Sequence, residues 1–229
     1  MDERPLSQRV AAVTALDEPI RRAMLEFVAR SPEPVSRDAA ATAFALPRST
    51  AAFHLDRLAE QGLLDVVYRR TTGRTGPGSG RPAKLYRRSA REVSVSVPPR
   101  HYDLAARLLA AAVERVADAG GSVTDALAEV AESAGREMAA DAGSLHEVLE
   151  TTGFEPRTTA DGTVELINCP FHQLVADHPQ TVCTMNLHLL RGAACACGAN
   201  PESLRLDPGP GRCCVTIAPD GAPSTGGSG

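Results

Sequence analysis

The feature that most limits what this chain can become is the placement of its sulfur. All six cysteines lie between Cys169 and Cys214, and none occurs earlier in the 229 residues. Thiols used only as small core fillers would be spread along the chain. Charge divides the chain at a similar place. Residues 1–100 hold 17 of the 24 Lys+Arg and 11 of the 28 Asp+Glu, a balance of +6, so residues 101–229 carry −10 and the whole chain −4. A basic half joined to an acidic one points to a nucleic-acid-facing part and a second part with another task. At 24.0 kDa there is room for one large domain or two small ones. The 43% hydrophobic and 23% charged residues suit a globular protein. No apolar run approaches the roughly 20 residues of a membrane span. The segment MDERPLSQRV lacks the apolar core of a signal peptide. A cytoplasmic protein is expected, neither secreted nor membrane-bound.

Leu6, Val10, Val13 and Leu16 recur at helical spacing. Asp17 is placed to cap a second helix with Pro19 in its first turn, and Ile20, Met24, Phe27 and Val28 form its inner side. SPEP at 31–34 ends that helix. Ser36 caps a third helix over 37–44, a tight connection follows, and a fourth helix runs over 49–61 to Gly62. Two strand-like pieces, 63–70 and 84–88, flank the hairpin loop TTGRTGPGSGRPA. Helices followed by a hairpin in this order make a winged helix-turn-helix. Pro98-Pro99 is the linker to the second half. There the pattern predicts helices over 102–118 and 122–140, and a short helix opened by a Ser144/Glu147 capping box. A strand at 163–167, a helix over 179–194 and strands at 203–206 and 212–217 follow. The expected class is α+β, an N-terminal winged helix-turn-helix plus a C-terminal mixed α/β domain bearing the cysteines. The expected division is a DNA-binding domain over 1–97, a dimerisation and sensor domain over 98–218 and a disordered tail over 219–229.

On the fourth helix Ala51, Leu55, Leu58 and Gly62 share a packing stripe, and Ser49, Thr50, Phe53, His54 and Arg57 are read as the opposite face. In a helix-turn-helix that face enters the major groove. Ser and Thr there bond phosphates or bases, and Arg57 reads guanine or clamps a phosphate. Any surface helix has a polar face, so the hairpin carries more weight. Arg69, Arg70, Arg74, Arg81, Lys84, Arg87, Arg88 and Arg91 occupy a stretch that contains no acid. Such a wing neutralises phosphates and makes affinity steeply salt-dependent; a solubilising surface is the alternative. Gly80-Arg81-Pro82 resembles the core of minor-groove AT-hook motifs, in which an extended Arg lies along the groove floor. Residues 16–88, with STAAFHLDRLAEQGLLDV and then GSGRPAKLYRR, resemble the winged helix-turn-helix of ArsR/DeoR-type bacterial repressors over about a third of the chain. The resemblance implies that Ser49, Thr50, His54 and Arg57 contact a double-stranded DNA operator; Arg81 and Lys84 are the wing's contacts.

The cysteine spacing is C-x13-C-x11-C-x-C-x15-C-C. A reducing compartment disfavours stable disulfides, and no C-x2-C pair supplies the usual zinc-knuckle or thioredoxin spacing. Widely spaced single cysteines are compatible with an iron–sulfur cluster, and Cys169 is followed by Pro170. If 212–217 is a strand with its apolar face inward, Cys213 joins the buried site and Cys214 points away. Some of the thiols serving as small buried hydrophobes is the plainer alternative. Zinc is the chemical rival: Cys169 and His172 form an acceptable pair, with Cys195, Cys197 or Cys213 to complete it, while His178 and His188 read as ordinary surface or core residues. A structural zinc would make the second half static.

The segments INCPFHQLVADHPQTVC and GRCCVTI resemble the C-terminal half of SufR-like regulators, repressors that govern iron–sulfur assembly genes. That resemblance implies a 4Fe–4S cluster on Cys169, Cys183 and Cys213, and a homodimer whose DNA affinity follows the cluster. The first spacing is about one residue longer than in the family, and Cys195 and Cys197 are additional. Cys197 is taken as fourth ligand, with Cys195 or a non-cysteine group as alternatives. The expected function is a transcriptional repressor sensing redox or iron–sulfur status. A small-molecule- or zinc-responsive repressor is the second reading. An iron–sulfur oxidoreductase ranks below both, since no strand–GxGxxG–helix, P-loop or C-x2-C occurs, and no enzyme is expected.

Overall fold

The computed structural model describes residues 4–69 and 82–219, and the chain divides into two compact units, Met1–Val95 and Ser96–Gly229. The first contains α1 (Leu6–Thr14), α2 (Pro19–Arg30), β1 (Val35–Ser36), α3 (Arg37–Phe44), α4 (Arg48–Glu60), β2 (Leu64–Arg69) and β3 (Ala83–Arg88). Its strands form an antiparallel sheet in the order β1-β3-β2, with Tyr86 between Val35 and Val66. Met24, Val28, Ala40, Leu55, Leu58, Leu64 and Tyr86 close the core beneath α2, α3 and α4. Ser36 caps α3, its Oγ accepting from Ala39 N at 3.0 Å. The cap of α2 is Glu18 rather than Asp17. With Pro19 at the first helical position, residue 18 becomes the capping residue, and its carboxylate accepts from Ile20 N at 3.1 Å and Arg21 N at 2.7 Å. Gly62, at φ 72, takes the left-handed turn that ends α4 and starts the wing.

The second unit contains α5 (Tyr102–Ala119), α6 (Val123–Met138), α7 (Leu145–Thr151), β4 (Pro156–Thr158), β5 (Val164–Leu166), α8 (His172–Asp177), α9 (Pro179–Ala196), β6 (Leu204–Leu206) and β7 (Val215–Ile217). Its sheet is antiparallel in the order β4-β5-β7-β6. The Ser144 capping box is present: Ser144 Oγ accepts from Glu147 N at 3.2 Å, while the Glu147 carboxylate turns back to Gly143 N at 2.9 Å. The last strand is shorter than expected. Cys213 and Cys214 lie in a bend ahead of β7, not within it. Together the units are α+β, as the pattern predicts. Among the described residues no helix is long and apolar enough to cross a membrane.

The organising element of this unit is α9, which buries Val182, Cys183, Met185, Asn186, Leu187, Leu189, Leu190, Gly192, Ala193 and Ala194. It crosses α6 at two glycines. A methyl group at Gly192 would collide with the carbonyl oxygen of Glu132, and one at Gly135 with that of Leu189; both are backbone atoms that cannot rotate away. His188 Nδ1 beside Glu132 Oε1 at 2.9 Å marks the same crossing. Gly192→Ala and Gly135→Ala should each cost about 1–3 kcal/mol through overpacking. Urea denaturation checks this, as a lowered midpoint with an unchanged slope.

Candidate functional site

The outer face of α4 presents Ser49, Phe53 and Arg57 at successive turns, with Thr50 half-buried beside them. Phe53 is 63% exposed, an apolar ring on an otherwise polar face. Arg57 Nη1 lies 3.3 Å from Glu60 Oε2 in an exposed pair, an interaction weak enough to be exchanged for a phosphate. His54 corrects the expectation of an outward contact. It is only 8% exposed, its Nδ1 3.5 Å from Glu18 Oε2 and its ring edge-on to Phe53 at 5.5 Å. With Ala51, Leu55 and Leu58 it completes the spacing of the packing stripe, so it faces inward and supports Phe53 from behind.

Lys84 is corrected too. Its Nζ is 2.5 Å from Asp56 Oδ1, which also accepts from Tyr86 Oη at 2.6 Å, while Arg37 Nη2 donates to Oδ2 at 2.7 Å and Arg37 Nε to Tyr86 Oη at 3.0 Å. One carboxylate thus joins α3, α4 and β3, and Lys84 is spent holding the wing to the reading helix. Burial opposes the charge on Asp56, but donation from Lys84, Tyr86 and Arg37 outweighs it and holds the carboxyl below its usual range. Arg87, Arg88 and Arg91 are exposed, and Arg69 is 2.8 Å from Glu33 on the surface. Arg70, Arg74 and Arg81 lie outside the described residues.

Four thiols meet inside the second unit. Cys169, Cys183, Cys213 and Cys214 are buried, whereas Cys195 is exposed and Cys197 half-buried. Cys169 follows β5 and its carbonyl accepts from His172 N at 3.0 Å, starting α8. Cys183 is one turn into α9. The bend carrying Cys213 and Cys214 is pinned by Cys213 N to Leu166 O at 2.7 Å and by Asp207 N to Cys214 O at 2.8 Å. The thiols interact in series: Cys169 with Cys213, Cys213 with Cys214, and Cys214 with Cys183. Cys214 therefore belongs to the site, against the expectation, because strand alternation does not act on a bend. Cys197 does not. At about 1.5 Å of rise per residue it lies about 21 Å along α9 from Cys183, packed with Ala139, Val148 and Ala193. The zinc pair is also not formed, since Cys169 is buried and His172 exposed.

Contact with Cys213, then burial, push the Cys169 thiol far above its ordinary value. Cys213 is pushed up to about 12: the Cys169 contact works to lower it, but Cys214 and burial prevail. Burial raises Cys183 in the same direction. Thiols held protonated are poor nucleophiles. Asn186, one turn after Cys183, donates its Nδ2 to Cys213 Sγ at 3.2 Å, and its Oδ1 is buried without a partner among the described residues. Among the described residues no group of three or more His, Cys, Asp or Glu side chains forms a ready metal cage. In donor type, soft sulfur from three chain segments suits a thiolate-bound iron–sulfur cluster or zinc.

The residues ahead of α5 are tied to this site. Asn168 Nδ2 donates to Pro99 O at 3.2 Å and Gly153 O at 2.6 Å, the Arg100 guanidinium donates to Asn168 Oδ1 and to Cys169 O, and His101 N donates to Pro170 O at 3.1 Å. The Asn-Cys-Pro segment thus anchors the chain where it enters the unit.

A family model described as a helix-turn-helix domain matches residues 16–67, spanning α2, α3, α4 and most of β2. No curated protein and no solved structure is detectably similar to the chain. The match, the three-stranded wing sheet and the outward face of α4 define a helix-turn-helix DNA-binding transcriptional regulator. Its reading face depends on Asp56. A carboxyl lowered in the folded state stabilises fully above its unfolded value, about 3.9, and that contribution is lost as pH falls through the folded value. Asp56→Asn should cost about 2 kcal/mol at neutral pH, a difference that shrinks on acidification below about pH 4. Thermal melts across pH check both points.

Proposed function

We propose that the chain is a homodimeric repressor whose affinity for an operator follows an iron–sulfur cluster, of the 4Fe–4S type, on Cys169, Cys183 and Cys213. The observation that supports this reading most is the meeting of buried thiols from three separate segments beside the loop that anchors residues 99–101. When bound, the cluster supplies one-electron chemistry and sensitivity to oxidants. The chain's own residues do the rest. Cys183 offers its sulfur from a fixed helix, and Cys213 from a bend held by the sheet. Cys169 offers its sulfur from the loop that Asn168, Arg100 and His101 tie to the start of α5. A shift of that loop reaches the segment leading to the DNA-binding unit through those hydrogen bonds. A dimer must span half-sites about 34 Å apart, so a modest rotation suffices to lose binding.

On DNA, Ser49, Thr50 and Arg57 supply polar contacts from α4, and Phe53 offers an apolar face suited to a thymine methyl group. Arg87 and Arg88 neutralise phosphates, and Arg81, by its Gly80-Arg81-Pro82 sequence, is suited to the minor groove. Arg88→Ala should lower affinity for all sequences alike and reduce the salt slope by about 1, measured by fluorescence anisotropy across salt concentrations.

Anaerobic purification tests the sensor. The expected protein is brown, holds iron and sulfide, and shows a thiolate-to-iron charge-transfer band that Cys169→Ser or Cys183→Ser removes and Cys197→Ser leaves. Its DNA affinity should differ before and after exposure to air. A colourless protein with stoichiometric zinc and air-indifferent DNA binding sinks the sensor reading and leaves the helix-turn-helix regulator standing.

A further inference from the structure

Asn186 occupies an unusual position for an amide. It sits in the middle of α9, is 1% exposed, and has the apolar Met185, Leu187, Leu189 and Leu190 as buried neighbours along the helix. One end of its side chain is spent on sulfur, Nδ2 donating to Cys213 Sγ at 3.2 Å. The other end, Oδ1, is buried with no partner among the described residues. A buried acceptor left unpaired is a net cost to folding, and an apolar side chain of the same branching, such as leucine, would not carry it. Packing alone therefore gives no reason for asparagine here. A role at the sulfur does.

We propose that Asn186 is a positioning residue of the sulfur site, its Nδ2–H orienting and polarising Cys213 Sγ as a ligand of an iron–sulfur cluster. This rests on the cluster reading given above. Asn186 follows Cys183 by three residues, so one helix both carries a ligand and grips the sulfur of another. That fixes the separation between the α9 ligand and the bend before β7. An N–H aimed at a coordinating sulfur draws charge from it and stabilises the reduced, more negative cluster over the oxidised one, raising the reduction potential. The same bond resists release of Cys213, so it slows cluster loss.

The test uses the full chain, loaded anaerobically with iron and sulfide, as wild type, Asn186→Leu and Asn186→Ser. Iron and sulfide content, the midpoint potential from a visible redox titration and the rate of bleaching in air are measured. Asn186→Leu should load to the wild-type level, titrate at a lower potential and bleach about tenfold faster, the factor set by one hydrogen bond to a charged acceptor. Its cluster-free form should be at least as stable to urea as wild type, since the unpaired acceptor is gone. Asn186→Ser, which fits any site that accepts asparagine, should show the same lowered potential and covers the case in which leucine disturbs the fold. Wild-type potential and bleaching rate in a loaded variant overturn the assignment alone. A wild-type chain that takes up no iron and sulfide overturns the cluster reading and this inference with it.

Discussion

Most of the second unit follows from the burial of α9 against α6. Two helices approach this closely only where neither carries a side chain at the crossing, and Gly135 and Gly192 meet that demand from opposite sides. The close approach brings Glu132 onto His188 and leaves another side of α9 for β6 and β7 to pack against. With α9 fixed, Cys183 has a fixed place, and the bend before β7 and the loop before α8 bring Cys213, Cys214 and Cys169 to it. The sulfur site is thus a by-product of helix packing. It needs no disulfide or preformed cage to gather four thiols.

The first unit solves a different problem, that of holding a thin hairpin against a reading helix. Apolar contact alone would leave β3 free to slide. Asp56 prevents this by accepting from Lys84, Tyr86 and Arg37 at once, a geometry that only one register of β3 satisfies. The cation that the sequence suggests for phosphate contact is used inside the domain, while Arg87 and Arg88 further along the hairpin stay exposed.

The helices were legible because their signals are local. Capping residues, glycine stops and apolar stripes placed α2, α3, α4, α6 and α7 within a few residues. The misses have physical causes. Residue type puts His54 on the polar face, while its spacing from Ala51, Leu55 and Leu58 places it on the buried one. Asp17 and Glu18 compete as caps, and only Pro19 decides between them. β1, β4 and α8 are too short to carry a period. At the sulfur site, clustering marks the region, and Cys169, Cys183 and Cys213, which the SufR-like resemblance implies, are buried there. Cys214 joins them because the expected strand over 212–217 begins only at Val215, and Cys197 stands apart because it lies at the far end of α9. Asn186 carries no sequence signal of its own, since Thr184, His188 and Arg191 are polar residues on the same helix.

The two-glycine crossing also makes the sulfur site mechanically uneven. Cys183 stands on a helix whose backbone is locked against a neighbour's carbonyls, so it acts as a stationary jaw. Cys169 stands in a loop and Cys213 and Cys214 in a bend, each held by a few hydrogen bonds. Strain that builds among these sulfurs is not shared equally. It discharges into the compliant side, and on that side lie Asn168 and the residues it ties to the start of α5.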